Sequence, residues 1–242
     1  MHSVDRLTAL WASAPRVAVL TGAGISTDSG IADFRGPNGL WTRNPAAAAM
    51  FDFDSYVADP EVRRQAWANR RANPALRAEP NAGHRALADL QRAGRLSALM
   101  TQNIDGLHQR AGSTGVLELH GTLWEVVCLS CAGRWPTLEV LARDEDDPAC
   151  TECGGILKTA TISFGQALDQ DVLAASWAAT ENADLLVAIG TSLQVNPVAG
   201  LAGAADQLAI VNAEPTPYDD LAEVVVRSSI SEVLGEVRDE LV

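Results

Sequence analysis

Five short runs of apolar residues, each followed by glycine or polar residues, constrain the fold of this chain more than any other feature. They lie at residues 16–21, 97–101, 184–190, 207–212 and 222–226. Runs that are apolar throughout are typical of parallel strands buried on both faces. Helical patterns occupy residues 81–94 and 171–182, between these runs. The sequence therefore predicts an α/β fold with a Rossmann-type doubly wound parallel sheet.

Two segments interrupt this rhythm and predict a smaller lobe. Residues 44–80 are rich in alanine and arginine and contain four prolines, which indicates a helical module. Residues 122–159 contain every cysteine of the chain, which indicates a module held together by a metal. The Rossmann-type domain is then expected to comprise residues 1–43, 81–121 and 160–242.

The cysteines form two C-x-x-C pairs separated by 18 residues: Cys128 with Cys131, and Cys150 with Cys153. Each pair offers two thiolates, and four thiolates complete a tetrahedral zinc shell. Because such a shell leaves no position for substrate, the predicted zinc is structural. Redox dithiols or free core cysteines are the alternative interpretation.

The formal charge of −13 and a pI near 4.6 exclude direct nucleic-acid binding as a main function, since such a surface repels phosphates. A negatively charged surface would attract lysine-rich protein segments. The alternative interpretation is that the charge only keeps the protein in solution. No apolar run is long enough for a membrane helix, and the N-terminus lacks the apolar core of a signal peptide. We therefore expect a cytoplasmic protein without membrane contact, and a monomer.

Polar residues follow four of the predicted strands at their carboxyl ends, where open α/β sheets bind ligands. They are Gly22, Ala23, Gly24 and Ile25, then 101–108, then Gly190, Thr191 and Ser192, then Asn212, Ala213 and Glu214. The first glycine pair alone is compatible with a phosphate loop or with a tight turn. Four polar strand ends at one edge favour a nucleotide crevice. His120 has the pKa for proton transfer, but His84 and His108 are equal rivals on the residues alone.

Taken together, these motifs resemble those of the sirtuins, over nearly the whole chain. The matching strings are GAGIS at 22–26, SGIADFRG at 29–36, TQNIDGLH at 101–108, ELHG at 118–121, GTSLQV at 190–195 and VNAEPTP at 211–217. The resemblance implies NAD-dependent removal of acyl groups, foremost acetyl, from protein lysines. It also implies NAD as co-substrate, a structural zinc ribbon, and nicotinamide and O-acyl-ADP-ribose as products.

The resemblance also assigns roles to individual residues. His120 matches the catalytic base, and Asn103 and Asp105 match catalytic residues beside the nicotinamide. The residues implied for the NAD site are Gly22, Ala23, Gly24, Ile25, Asp33, Phe34, Arg35, Trp41, Gln102, Asn103, Ile104, Asp105, Gly190, Thr191, Ser192, Asn212, Ala213, Glu214 and Ile230. The acyl-lysine segment is expected to lie as an added strand between two flanking segments, Phe164-Gly165 and Val195-Asn196.

The departures from the family pattern bear mainly on which acyl group the protein would prefer. Ala32 stands where the family usually has proline, and Gln166 where it has glutamate. Members that prefer acidic acyl groups carry a Tyr-x-x-Arg pair in the helical module, where this chain has Trp67 and Arg70. Arg70 could still pair with a carboxylate, or it is equally compatible with a solvated helix face. Because the tyrosine hydroxyl is missing, we expect acetyl-lysine to be preferred over succinyl-lysine.

The NAD motifs leave two other functions open. ADP-ribosyl transfer to protein would use the same NAD site and the same histidine. A protein that binds NAD without turnover would need no base beside the nicotinamide pocket, so the complete motif set disfavours that function.

Overall fold

The computed structural model of this protein describes residues 3–34, 36, 39 and 52–242. Its strands, in chain order, are β1 (Val17–Thr21), β2 (Ala98–Thr101), β3 (Leu117–Glu118), β4 (Gly121–Cys128), β5 (Arg134–Pro136), β6 (Leu157–Thr161), β7 (Leu185–Ile189), β8 (Leu208–Val211) and β9 (Val224–Val226). Its α-helices are α1 (Ser3–Ser13), α2 (Phe53–Ala58), α3 (Pro60–Arg71), α4 (Ala82–Arg92), α5 (Leu107–Ala111), α6 (Thr137–Leu141), α7 (Gln170–Glu181), α8 (Gly200–Ala204) and α9 (Ile230–Leu241). Among these residues, no helix has the length and apolar character needed to cross a membrane.

Within the described residues, a six-stranded parallel sheet in the order β3-β2-β1-β7-β8-β9 forms the larger domain. The five predicted apolar runs are β1, β2, β7, β8 and β9, so the predicted parallel sheet is confirmed. Every residue of β1, β7 and β8 is buried, as expected for central strands covered on both faces. The predicted helices at 81–94 and 171–182 are α4 and α7.

The strand order reverses between β1 and β7, because the chain continues from β1 to β2 on one side and returns through β7 on the other. In open α/β sheets, ligands bind outside the carboxyl ends of the strands at this reversal. Thr21, Thr101 and Ile189 end the three strands nearest to it. The loops that follow these residues are therefore placed where a ligand is expected.

Two hydrophobic layers cover the sheet. On one face α1, α4 and α9 supply residues such as Trp11, Leu87 and Leu234. Trp11 is buried, and its indole N–H donates to the carbonyl of Arg95 at 2.7 Å, so no polar atom of this side chain is left unpaired. On the other face, α7 and α8 pack residues such as Trp177 against the sheet.

The smaller lobe is built on an antiparallel three-stranded sheet in the order β5-β4-β6. Trp67 of α3 packs in one cluster with Val126, Val140 and Leu157 of this cysteine-bearing part. The Tyr56 hydroxyl of α2 donates to the Leu157 carbonyl at 2.6 Å. The helical and cysteine-bearing modules therefore share one core, although they are far apart in the sequence. Their sheet runs from Gly121 to Thr161, slightly beyond the segment 122–159 predicted for it.

Candidate active site

The glycine loop after β1 packs directly on the loop after β7. The Gly24 N–H donates to the Gly190 carbonyl at 2.8 Å. A Cβ at Gly24 would lie 2.7 Å from the Gly190 Cα, and one at Gly190 would lie 2.5 Å from the Ile25 nitrogen. These contacts leave no room for side chains, so glycine is required here by loop packing. The predicted role of the same loop in phosphate binding remains a prediction.

Polar side chains at the strand ends join neighbouring loops at this edge. The Gln102 amide donates to the Thr191 hydroxyl at 2.8 Å, which joins the loops after β2 and β7. After β8, the Asn212 amide donates to the Glu214 carbonyl at 2.7 Å. The guanidinium of Arg227 donates to the carbonyls of both Asn212 and Glu214, at 2.7 and 2.9 Å. Arg227, which the sequence analysis did not select, thus fixes the loop predicted to hold the adenosine half of NAD.

Asn103, Ser26 and Asp105 form a buried group between β1 and β2. The Asn103 amide donates to the Gly22 carbonyl at 3.1 Å and to the Ser26 hydroxyl at 3.2 Å. The Ser26 hydroxyl donates to Asp105 at 2.7 Å. Burial raises the pKa of the Asp105 carboxyl, although hydrogen bonds from Leu107 and Ser26 oppose that shift. The predicted nicotinamide residues are thus brought together, with Ser26 as a partner that the sequence analysis did not name separately.

His120 lies between β3 and β4, with its ring at the end of β2. Its Nδ1 lies 3.0 Å from the Gln102 carbonyl oxygen, so Nδ1 carries the proton and Nε2 keeps its lone pair. Burial lowers the pKa of His120, and the hydrogen bond to Gln102 opposes this shift. A neutral imidazole with a free Nε2 is the form that a general base requires.

The rival histidines are enclosed. His84 is 0% exposed and His108 is 1% exposed, whereas His120 is half-buried. Burial lowers the pKa of His84 to about 4 and that of His108 to about 3. Their rings meet edge to face with centroids 4.9 Å apart. Neither ring is accessible to a ligand, so His120 is the remaining histidine candidate for a base among the described residues.

The predicted substrate segments lie at the surface. Phe164 is 46% exposed, and its carbonyl accepts the Phe53 N–H of α2 at 2.9 Å. Val195 is half-buried and Asn196 is exposed. The Ile162 N–H donates to the His120 carbonyl at 2.9 Å, which connects the end of β6 to the candidate base. A peptide beside Phe164 would therefore approach the His120 loop.

Trp67 and Arg70 occupy unexpected positions for acyl-binding residues. Trp67 is fully buried in the core of the smaller lobe, and the Arg70 guanidinium lies over its ring at 5.7 Å from the centroid. Arg70 Nε donates to the Thr159 hydroxyl at 2.8 Å. Arg70 is therefore not on a solvated helix face. Trp67, in this packing, can influence an acyl group only through its neighbours.

Local contacts are given for several of the remaining predicted residues. The Asp33 carboxylate accepts the Gly36 N–H at 3.0 Å, and Phe34 is 37% exposed. The Ile104 carbonyl accepts the Leu123 N–H at 2.9 Å, and Ile230 begins α9. Two predicted NAD residues, Arg35 and Trp41, lie outside the described residues.

The four cysteines form the predicted metal site. Their Sγ atoms all lie within 4.8 Å of one another, with 3.5 Å between Cys128 and Cys153 and 3.7 Å between Cys131 and Cys150. Sulfurs bound tetrahedrally at about 2.3 Å from a zinc ion are about 3.8 Å apart. No cysteine forms a disulfide. The residues fit a closed zinc shell, as the spacing predicts.

Comparison with known proteins identifies relatives over nearly the whole chain. Residues 22–197 match the Sir2 family. The chain is 54% identical, over 91% of its length and 95% of the relative's, to NAD-dependent protein deacetylase 2 of Streptomyces coelicolor. A Sir2 structure with a deacetylated p53 peptide and 3′-O-acetyl ADP ribose superimposes with a TM-score of 0.91 at 35% identity, covering 98% of each chain.

A second solved structure, Sir2Tm bound to a propionylated peptide, has a TM-score of 0.87 at 34% identity and covers 99% of this chain and 98% of its own. The family match spans most of the chain, and the relative is similar along nearly its full length. The buried group at the strand reversal and the four-cysteine module occur together in one fold. On this basis the chain belongs to the Sir2 family.

Proposed function

We propose that this protein removes acyl groups, foremost acetyl, from lysine side chains of proteins, with NAD as co-substrate. The observation that carries the proposal is that the Gln102 carbonyl holds His120 through Nδ1, directly before Asn103 in the chain, and that the buried Asn103 is joined to Ser26 and Asp105. The similar proteins support it, since one is named a deacetylase and the solved structures hold a deacetylated and a propionylated peptide.

The donor set at the strand ends fits NAD. Amide and hydroxyl groups of Gln102, Thr191 and Ser192 suit phosphate and ribose oxygens, and Asn212 suits the adenosine half. Asn103 and Asp105 would enclose the nicotinamide. When bound, NAD supplies an electrophilic ribose carbon for the acyl oxygen, and nicotinamide and O-acyl-ADP-ribose are the products.

The protein's own groups then position and move protons. His120 accepts at Nε2 a proton from a hydroxyl brought beside it, while the Gln102 carbonyl holds the ring in place. The buried carboxylate of Asp105 is oriented by Ser26 and by the Leu107 N–H. The acyl-lysine segment would lie in extended form beside Phe164 and Val195, where main-chain hydrogen bonds hold a peptide without restricting its sequence.

Product analysis tests this function directly. We expect an acetyl-lysine peptide and NAD to yield deacetylated peptide, free nicotinamide and O-acetyl-ADP-ribose in equal amounts. Protein carrying ADP-ribose, without free acetyl-ADP-ribose, would instead indicate ADP-ribosyl transfer. A lack of any NAD-dependent product with a panel of acyl peptides would contradict the proposal.

The pH profile follows from the state of His120. Burial holds its pKa below its ordinary value of about 6.5. The base works only when unprotonated, so activity is lost as the pH falls through this lowered pKa. We expect kcat/KM for an acetyl-lysine peptide to be level near pH 7 and to decline with a midpoint below about 6.5. A midpoint above that value would show that another group limits the reaction.

Acyl preference should follow the surroundings of Arg70. A succinyl carboxylate must lose its water on entering the protein, which costs several kcal/mol unless a cation pairs with it. The Arg70 guanidinium is engaged by Thr159 and by the Trp67 ring, and no tyrosine hydroxyl stands at position 67. We expect a higher kcat/KM for acetyl- and propionyl-lysine than for succinyl-lysine peptides. The reverse order would mean that Arg70 exchanges Thr159 for the substrate carboxylate.

A further inference from the structure

A buried chain of hydrogen bonds leads from His108 to the turn that follows β2. His108 Nε2 lies 2.8 Å from the Thr21 hydroxyl, and that hydroxyl donates to the Thr101 hydroxyl at 2.8 Å. The Thr101 oxygen in turn accepts the backbone N–H of Asn103 at 3.1 Å. His108, Thr21 and Thr101 are each at most 2% exposed, so water does not compete for these bonds.

The direction of the chain follows from the other nitrogen of the ring. His108 Nδ1 is buried and has no hydrogen-bond partner among the described residues. A buried N–H without an acceptor is rarer in proteins than a buried lone pair without a donor. The proton therefore lies on Nε2, which donates to Thr21. With Nε2 donating to it, the Thr21 hydroxyl directs its own hydrogen to Thr101 at 2.8 Å rather than to the more distant Met100 carbonyl at 3.5 Å.

The turn at the end of this chain carries two groups of the reaction site. The Gln102 carbonyl, which orients His120, lies between Thr101 and Asn103. Asn103 itself places its amide on the Gly22 carbonyl and on Ser26. A shift of this turn would therefore move the base and the nicotinamide pocket together.

The same network returns to its starting point. Ser26 donates to Asp105, and the other oxygen of Asp105 accepts the Leu107 N–H at 2.9 Å. Leu107 begins α5, the helix that contains His108. The pocket residues and the buried histidine thus fix one another through a closed circuit of hydrogen bonds.

We propose that His108, acting through Thr21, is a positioning residue that holds the Thr101–Asn103 turn, and with it both His120 and the nicotinamide pocket, in the reactive arrangement. This inference rests on the proposed function. It gives a role to a histidine that cannot reach a substrate, and it makes the Thr21 hydroxyl, not its methyl group, the essential feature of that side chain.

The substitutions Thr21→Val and Thr21→Ser separate the hydroxyl from the shape of the side chain. For Thr21→Val we expect kcat to fall about ten- to a hundred-fold, as for a small misplacement of reacting groups. Inhibition by nicotinamide should weaken in parallel, while KM for the acetyl-lysine peptide stays near wild type. Thr21→Ser, which keeps the hydroxyl, should recover most of the lost kcat and the nicotinamide inhibition.

Thr180→Val is the matched control, because it removes another fully buried threonine hydroxyl, which donates to the Ser176 carbonyl and contacts the Met100 sulfur but no side chain of this circuit. It should alter the melting temperature without weakening nicotinamide inhibition. If the wild type is active and Thr21→Val keeps normal kcat and nicotinamide inhibition, only the positioning role of His108 through Thr21 is overturned. An inactive wild type would overturn the proposed function instead.

A second pair serves if Thr21→Val is not recovered folded. His108→Gln keeps an N–H donor near the Nε2 position, and His108→Leu removes it. Higher kcat and stronger nicotinamide inhibition for the glutamine variant than for the leucine variant would support the positioning role of His108. Equal values for the two variants would overturn it.

Discussion

His120→Ala is expected to lower kcat by about a hundred- to ten-thousand-fold, the usual loss for a single general base. The reason is that the Gln102 carbonyl engages Nδ1, which leaves Nε2 as the basic nitrogen of the ring. NAD affinity and melting temperature should change little, because the side chain is half-buried and its ring carries one hydrogen bond among the described residues. Single-turnover deacetylation, NAD titration and thermal unfolding measure the three quantities.

His120→Asn is the sharper form of this experiment. Its amide nitrogen can take the place of Nδ1 and donate to the Gln102 carbonyl, but no basic atom remains at the position of Nε2. It should therefore match His120→Ala in activity and the wild type in stability. Near-normal turnover in either variant would contradict the assignment of His120 as the base.

Loss of one cysteine ligand is expected to have the largest effect on stability. Structural zinc contributes on the order of ten kcal/mol to the folding of small zinc modules. The Cys150 sulfur lies 3.7 Å from the Cys131 sulfur, and Cys150 is buried. Cys150→Ser therefore removes a buried ligand of the predicted zinc. We expect loss of bound zinc, a strongly lowered melting temperature and little folded protein. Because Trp67 packs against Cys128 and Cys150, the damage should spread to α3.

Ser130→Ala is the control for this variant. Ser130 lies in the same cysteine turn and its backbone N–H donates to the Cys128 sulfur, but its side chain supplies no thiolate. It should retain one zinc per chain and a near-normal melting temperature. Elemental analysis decides the matter, and wild-type protein without stoichiometric zinc would contradict the metal site.

Strands could be predicted best where a continuous apolar run in the sequence is fully buried in the fold. The runs that became β1, β7 and β8 are apolar throughout, and the structure buries them completely. Strand β3 could not be predicted, because its two residues, Leu117 and Glu118, are too few to produce a pattern. Helices α1 and α9 were not predicted either; they pack into one core from opposite ends of the chain.

In the site, spacing located the cysteines because all four ligands come from short motifs. The roles of histidines could not be separated in this way, since burial depends on distant residues. His108 contacts Thr21, which is 87 residues earlier in the chain, and His84 lies 3.5 Å from Ser26, which is 58 residues earlier. Trp67 shows the same limit, because only the fold reveals that it packs under the cysteine module rather than at the surface.

The pairing of β1 with β7 has a consequence for synthesis of the chain. Val17 pairs with Leu185, so one edge of β1 has no partner until most of the protein has left the ribosome. The other edge is covered earlier, by β2, through pairs such as Ala18 with Ala98. An apolar strand with a free edge recruits other chains, and distant parallel pairs form slowly. Nascent chains that end before Leu185 should therefore bind chaperones, and release should coincide with the emergence of β7.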